Sequence, residues 1–272
     1  MYPDSRLAAE LAERAGELLL EVRTTPGLAP EELAKRGDGL ANEWLLSELA
    51  RRRPDDAVLS EESADNPARL ASARVWIIDP LDGSREFGVP GRSDWAVHVA
   101  LWEADRGITA AAVAQPALGA VYADDEPPPP GGHVAQHGAE RPSGRATLHN
   151  LAGPRAIGPR PRILVSDSRP PAFTTELAAE VDAEVATMGS AGAKTMSVLR
   201  GEADAYVHAG GQWEWDSAAP VGVALAAGLH ASRIDGSVLQ YNQTRPYLPD
   251  LLICRSELAR PLLTAIRRVL AE

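Results

Sequence analysis

The segment VWIIDPLDGSREF, residues 75–87, constrains the fold of this chain more than any other stretch. Four apolar residues, Val75 to Ile78, have the length and composition of a short buried strand. They deliver the chain to Asp79, and Pro80 presets φ for the first central position of a tight turn. A turn of Asp79-Pro80-Leu81-Asp82 brings its end residues within about 7 Å of each other. Two carboxylates held that close repel unless a cation lies between them. Oxygen-only ligands favour Mg²⁺ or Mn²⁺ over zinc, and the Leu81 carbonyl at the apex adds one more oxygen. Gly83 and Ser84 follow, where a chain entering a helix would aim free N–H groups at an anion. Relief of the repulsion by Asp82→Asn is expected to leave metal-free stability unchanged or higher.

An Asp-rich surface turn with a helix cap is the plainer reading of this segment, so the rest of the chain has to decide. Aspartyl-phosphate chemistry does not fit the spacing: it needs two Asp on one strand face with one residue between them, and here two intervene. Hydrolysis by a Ser-His or Cys-His pair has no nucleophile-elbow pattern behind it, and the single cysteine, Cys254, lies in an apolar strand. One cysteine also rules out an intrachain disulfide framework. Lys plus Arg number 27 against 38 Asp plus Glu, a formal net charge of −11, which repels nucleic-acid phosphates. A small anionic substrate would therefore need metal ions or a few placed cations. The first residues, MYPDSRLAAELAERAGELLLEV, are acidic and amphipathic without the apolar core of a signal or membrane segment. A cytoplasmic protein without membrane contact is expected.

Leu7, Leu11, Leu18 and Val22 form one stripe and predict a first helix. A second is expected from about Gly39 to Arg53, stopped by Pro54, with Asp38 just before its start. Strands are expected over 57–60, 74–78, 95–102 and 108–114. A Pro/Gly-rich surface loop or linker follows over about 124–161 and includes the run Pro127 to Pro130. The second half alternates: a strand at 162–166, helices at 171–181 and 193–200, and a strand at 205–208. Then come a helix at 216–227 closed by Gly228, a hairpin turning at Asp235-Gly236, a strand at 251–254 and a C-terminal helix. This pattern joins an antiparallel-rich first half to an α/β second half. It divides the chain into subdomains of residues 1–150 and 151–272.

Two further acidic sites carry the functional argument. Leu59-Ser60-Glu61-Glu62 ends a strand with adjacent carboxylates, one of which must point inward by strand alternation. Trp215-Asp216-Ser217-Ala218-Ala219 opens an apolar helix on Asp216; taken alone, Asp216 and Asp38 would be plain N-caps. Together with Trp76-Ile77-Ile78-Asp79-Pro80-Leu81-Asp82-Gly83-Ser84, these motifs resemble the inositol monophosphatase superfamily of metal-dependent, lithium-sensitive phosphatases. Gly189-Ser190-Ala191-Gly192-Ala193-Lys194 and the run from His208 to Asp216 resemble its mycobacterial-type CysQ branch, the 3′(2′),5′-bisphosphate nucleotidases. The resemblance covers nearly the whole chain.

The resemblance implies an αβαβα sandwich of two packed subdomains, the first α+β and the second α/β. It implies Glu61, Asp79, the Leu81 carbonyl, Asp82 and Asp216 as ligands of two or three Mg²⁺ ions, with Mn²⁺ as a substitute. Asp38 and Ser84 match the pair that orients the attacking water, and Glu62 a second acidic position near it. The family usually has Thr-x-x-Asp where this chain reads Lys35-Arg36-Gly37-Asp38, and Ser84 keeps the hydroxyl of a usual Thr. Gly83, Ser84, Ser190, Lys194 and His208 are the implied substrate contacts. A solvent-facing role is the alternative for Lys194, and His208 stands where eukaryotic relatives tend to carry Arg. Trp213 could stack on adenine, although packing is the stronger reading. The implied reaction is direct attack of water on the 3′-phosphate of 3′-phosphoadenosine 5′-phosphate (PAP), giving AMP without a phosphoenzyme, in sulfur assimilation. Competing expectations are hydrolysis of inositol phosphates or fructose 1,6-bisphosphate at the same metals, and a non-catalytic metal- or nucleotide-binding regulator. The Ser84 hydroxyl speaks against the regulator, which would not need to orient water. A homodimer is left open.

Overall fold

The computed structural model describes residues 3–124, 158 and 160–271. The linker expected over 124–161 and the subdomain boundary at 150/151 lie almost wholly outside these residues, as does the run Pro127 to Pro130.

Helix α1 (Asp4–Arg23) buries Leu7, Leu11, Ala15, Leu19 and Val22, a stripe of side chains stacked about one turn apart. It packs beside α2 (Pro30–Arg52), which buries Leu33, Ala34, Ala41, Leu45 and Leu49. Strands β1 (Ala57–Ser60), β2 (Arg74–Asp82), β3 (Ala96–Glu103), β4 (Gly107–Gln115) and β5 (Ala120–Ala123) form one sheet in sequence order. β1 runs parallel to β2 and the other pairs are antiparallel. A one-turn helix, α3 (Ser84–Gly88), follows β2.

The second half supplies β6 (Arg162–Ser166), α4 (Thr174–Glu180), β7 (Glu184–Met188), α5 (Ala191–Leu199), β8 (Ala205–Trp213), α6 (Glu214–Ala226), β9 (His230–Ser232), β10 (Tyr247–Cys254) and α7 (Ala259–Ala271). Its sheet has the order β7-β6-β8-β10-β9, with β6 parallel to both neighbours and β10 antiparallel to both of its own.

Strand alternation sorts side chains into three cores and so fixes the layers. Trp76 and Ile78 join the α1/α2 core, whereas Val75 and Ile77 face a middle core with Met196 of α5, Val221 of α6 and Leu251 and Ile253 of β10. Leu252 and Cys254, with Ile163 and Val165, pack outward against Leu177 of α4 and Leu262 and Ile266 of α7. The order is helices, sheet, α5/α6, sheet, helices: the αβαβα sandwich. Among the described residues no helix is long and apolar enough to cross a membrane.

Four local expectations are corrected. α2 starts at Pro30, so Asp38 lies inside the helix and is no N-cap. Pro30 presets φ in the first turn, and Glu32 reaches back to the Ala29 N–H at 3.2 Å, which outweighs the two glycines around Asp38. Asp79-Pro80-Leu81-Asp82 is not a tight turn but the bulged end of β2. Asp79 faces His98 and Asp82 faces Ala96, so three steps on β2 match two on β3. A bulge tolerates Pro80, which has no N–H to give to the ladder. The Asp235-Gly236 turn exists, with Gly236 N–H donating to the Arg233 carbonyl at 3.0 Å, but no strand leaves it to complete the expected hairpin; β9 pairs instead with β10, across the longer 233–246 connection. Finally, β7 was not foreseen: it is a half-exposed edge strand with too weak an apolar pattern to stand out.

Candidate active site

Three chain segments meet where the first sheet packs on the middle layer. Parallel pairing of Ser60 with Ile78 delivers Glu61 beside Asp79. The β2 bulge turns both Asp79 and Asp82 inward, and α6 adds Asp216 from its first turn. Carboxylate oxygens of Asp79, Asp82 and Asp216 lie within 4.8 Å of one another. Asp79 Oδ1 accepts the Leu81 N–H at 3.0 Å, but its Oδ2 is buried without any hydrogen-bond partner. Burial, then the charges of Glu61, Asp82 and Asp216, push the Asp79 carboxyl well above the carboxylate range. Glu61, just past the end of β1, is an exposed residue outside the group of Asp79, Asp82 and Asp216. Burial of its carboxyl, then the Asp216 charge, push it up to about 8. Asp216 is pushed to about 6 by burial and Asp82, although it accepts the Trp213 N–H. Asp216 is thus both a cap for α6 and a member of the cluster. An orphaned buried oxygen inside a ring of carboxylates fits a divalent cation, and oxygen-only donors fit a hard one.

Asp82 differs from its neighbours. Burial would raise it, yet His98, the Ser190 hydroxyl and the Gly192 N–H together hold it down at about 2. Three donors come from the start of α5: Ser190 Oγ, Ala191 N–H at 3.2 Å and Gly192 N–H at 2.7 Å. His98 Nε2 lies 3.1 Å from Asp82 Oδ2, a close ion contact without full hydrogen-bond alignment, while Nδ1 lies 3.1 Å from the Trp215 carbonyl. A Cβ on Gly192 would meet His98 Nε2 at 2.2 Å, so only glycine leaves room for the ring.

Asp38 projects from α2 toward the start of α3. Ser84 Oγ lies 3.3 Å from Asp38 Oδ1 and 3.0 Å from the Leu81 carbonyl, and its single proton serves one of them at a time. Burial and the Glu62 charge push Asp38 up to about 7 against the Ser84 hydrogen bond. Asn42, one turn along α2, binds the end of β1: it accepts from Ser60 Oγ at 2.7 Å and donates to Ser63 Oγ at 3.1 Å and the Glu62 carbonyl at 3.5 Å. That clamp fixes Asp38 relative to Glu61 and Glu62. Gly83 joins β2 to α3 at φ 87°, where a Cβ would meet the Asp94 carbonyl and Ser190 Cβ at 3.1 Å.

Beside the cluster opens a cavity of about 360 Å³, lined by Gly83, Ser84, Ser190, Lys194, His208 and Asp216 among others. Lys194 is 2% exposed, and its ammonium donates to the carbonyls of Met188, Gly189 and Ser190. Three donors meet three acceptors, so Lys194 braces the turn before α5 and has nothing left for the nucleotide contact expected of it. Burial lowers it to about 8. His208 Nε2 donates to the Gly211 carbonyl at 3.0 Å; its Nδ1 and the Gln212 amide nitrogen are buried without partners. Trp213 stacks on Trp215 at 5.4 Å between ring centroids, so packing occupies one of its faces. Asn42, His98 and Arg169, another residue of the cavity wall, had no motif to announce them in the sequence.

The family model for the inositol monophosphatase family matches residues 4–270. The chain belongs to that family. A 3′-phosphoadenosine 5′-phosphate phosphatase from Mycobacterium leprae is 50% identical over 278 residues, covering 98% of this chain and 94% of that protein. A protein of the same name from Mycobacterium tuberculosis is 52% identical over 258 residues, covering 93% and 89%. The fold is shared with the crystal structure of inositol monophosphatase II from Staphylococcus aureus, at a TM-score of 0.72 and 20% identity over 93% of this chain and 91% of that one.

Proposed function

We propose that this member of the inositol monophosphatase family is a Mg²⁺-dependent phosphomonoesterase that removes the 3′-phosphate of PAP to give AMP. The observation that carries the reading is the acidic cluster around the orphaned Asp79 Oδ2, with the Asp38–Ser84 pair beside it. The substrate follows that of the relatives at 50% and 52% identity, both 3′-phosphoadenosine 5′-phosphate phosphatases by name. In this reading Glu61, Asp79, the Leu81 carbonyl, Asp82 and Asp216 hold the ions. When bound, divalent ions would supply charge for the phosphoryl oxygens and make water more acidic. Asp38 and the Ser84 hydroxyl orient the attacking water, with Glu62 as a further acidic group near it. Gly83 and Ser84 border the phosphoryl position, and His208 floors the substrate side of the cavity. Asp82, already ionised by its own protein partners, stays a fixed anchor through the reaction. A division of labour between the two sheets accompanies this: the first half of the chain provides most of the ligands, the second the cavity wall and Asp216.

The test is turnover with Mg²⁺ on PAP, inositol 1-phosphate and fructose 1,6-bisphosphate in parallel. The reading expects the highest kcat/KM on PAP. Preference for either of the other two would overturn the substrate, and no turnover of any would favour a binding protein on this scaffold.

A further inference from the structure

Three cations line the cavity beside the carboxylate cluster: Arg85, Arg169 and Lys194. Lys194 is fully engaged, and Arg85 is held in ion pairs through its Nε and Nη2. Arg85 donates to Glu86 Oε1 at 2.6 and 2.9 Å and to Asp167 Oδ2 at 2.5 Å. Lys194 gives its protons to three backbone carbonyls. Arg169 is exposed, and among the described residues its guanidinium has no ion pair. It nevertheless acts electrostatically across the cavity on Asp216, Tyr206 and His208.

The loop that carries Arg169 is held in place. After β6, Ser166 Oγ accepts the Arg169 N–H at 3.2 Å and lies 3.3 Å from Ser168 Oγ. Asp167, between the two serines, is tied to Arg85, the residue next to Ser84. A held turn thus presents one guanidinium without an ion pair to the same cavity that Asp82 and Asp216 line. A substrate with two phosphates would bring one to the cluster, where bound ions would hold it. The second phosphate then lies in a cavity whose other anions, Glu86 and Asp167, already occupy Arg85. It needs a cation, and a planar guanidinium with five N–H donors suits a phosphate.

We infer that Arg169 binds the second phosphate of the substrate and so sets the preference for a nucleoside bisphosphate over a monophosphate. This rests on the PAP reading above. It assigns to Arg169 the part that sequence alone gave to Lys194.

The experiment compares wild type, Arg169→Gln and Arg169→Lys on PAP and on adenosine 3′-monophosphate, which has the reacting phosphate but not the second one, at fixed Mg²⁺ and ionic strength. Arg169→Gln should raise KM for PAP about ten- to a hundredfold, the scale of one charge-assisted contact, with kcat little changed. KM for adenosine 3′-monophosphate should stay within about twofold, because that substrate never meets the guanidinium. Arg169→Lys should recover part of the loss by restoring the charge without the fork. Retained preference for PAP in Arg169→Gln would overturn the inference, and so would equal losses on both substrates, which would mark Arg169 as part of the shared site or of the fold. A wild-type protein that turned over neither adenine nucleotide would overturn the PAP reading and the inference with it.

Discussion

Asp79 and Asp82 stand three residues apart at the end of one strand, yet the fold treats them as opposites. Asp82 has a histidine, a serine hydroxyl and two helix N–H groups, and carries its charge at about 2 on the pKa scale. Asp79 has one N–H, an orphaned oxygen and a ring of other carboxylates, and is pushed well above the usual range. Glu61, near 8, and Asp216, near 6, side with Asp79. One of the four carboxylates is therefore paired by the protein, and three are left mutually repelling.

The largest test of that contrast is a pair of isosteric substitutions. Asp79→Asn and Asp82→Asn should each reduce turnover by about a thousandfold or more, several kcal/mol of lost ion-mediated stabilisation. Their metal-free stabilities should part. Asp79→Asn removes a repelled charge and should hold or raise stability in a denaturant titration. Asp82→Asn removes the charge and one of the two oxygens that four groups share, puts an NH2 donor in its place, and should cost about 1–3 kcal/mol. Equal shifts in the two would erase the distinction.

That outcome for Asp82→Asn reverses what the sequence alone led one to expect, and the reason is instructive. Motif spacing showed that Asp79 and Asp82 share a site, but the partners that separate them come from elsewhere in the chain. His98 lies on β3 and the Ser190 to Gly192 donors on α5, and no spacing rule links them to residue 82. The layered fold and nearly all of its elements were legible, because periodic apolar runs such as Val75 to Ile78 report burial directly. Glu61, Asp79, Asp82 and Asp216 were legible as a set because each ends or opens an element. Asp38 was expected just before a helix that instead contains it. Gly37 in fact lets α2 approach Leu19 and Phe87, which a Cβ would meet at 3.1 Å. The fate of Lys194 could not be read, because its carbonyl partners are backbone atoms that every sequence has.

Acidity offers a second, smaller test. Glu61, Asp79, Asp216 and Asp38 all have folded values above their unfolded ones, so the native state holds extra protons between about pH 4 and 8. Their contribution is fully present below the unfolded values and is lost as pH rises through about 6 to 8. Metal-free protein should therefore melt at progressively lower temperature from pH 5 to pH 8, and saturating Mg²⁺ should flatten the decline. Asp82 has the opposite sign: its contribution is lost only as pH falls below about 4 toward 2. A metal-free melting temperature that rose over pH 5 to 8 would break the comparison.

Gly192→Ala probes the protein-paired carboxylate alone. The added methyl would have to displace His98 and should cost about 1–3 kcal/mol, with weakened activity as Asp82 loses its neighbour. A fully active, equally stable variant would show that His98 does not matter to Asp82.

On this reading, protons hold the Glu61, Asp79 and Asp216 side of the cluster together until a divalent cation replaces them. Calorimetric titration of the metal-free protein with Mg²⁺ at pH 6.5, in two buffers of different ionisation enthalpy, counts the protons exchanged. The account predicts a net release of about one proton or more per chain, diminished in Asp79→Asn and retained in Arg169→Gln. Tight Mg²⁺ binding with no proton release would contradict it.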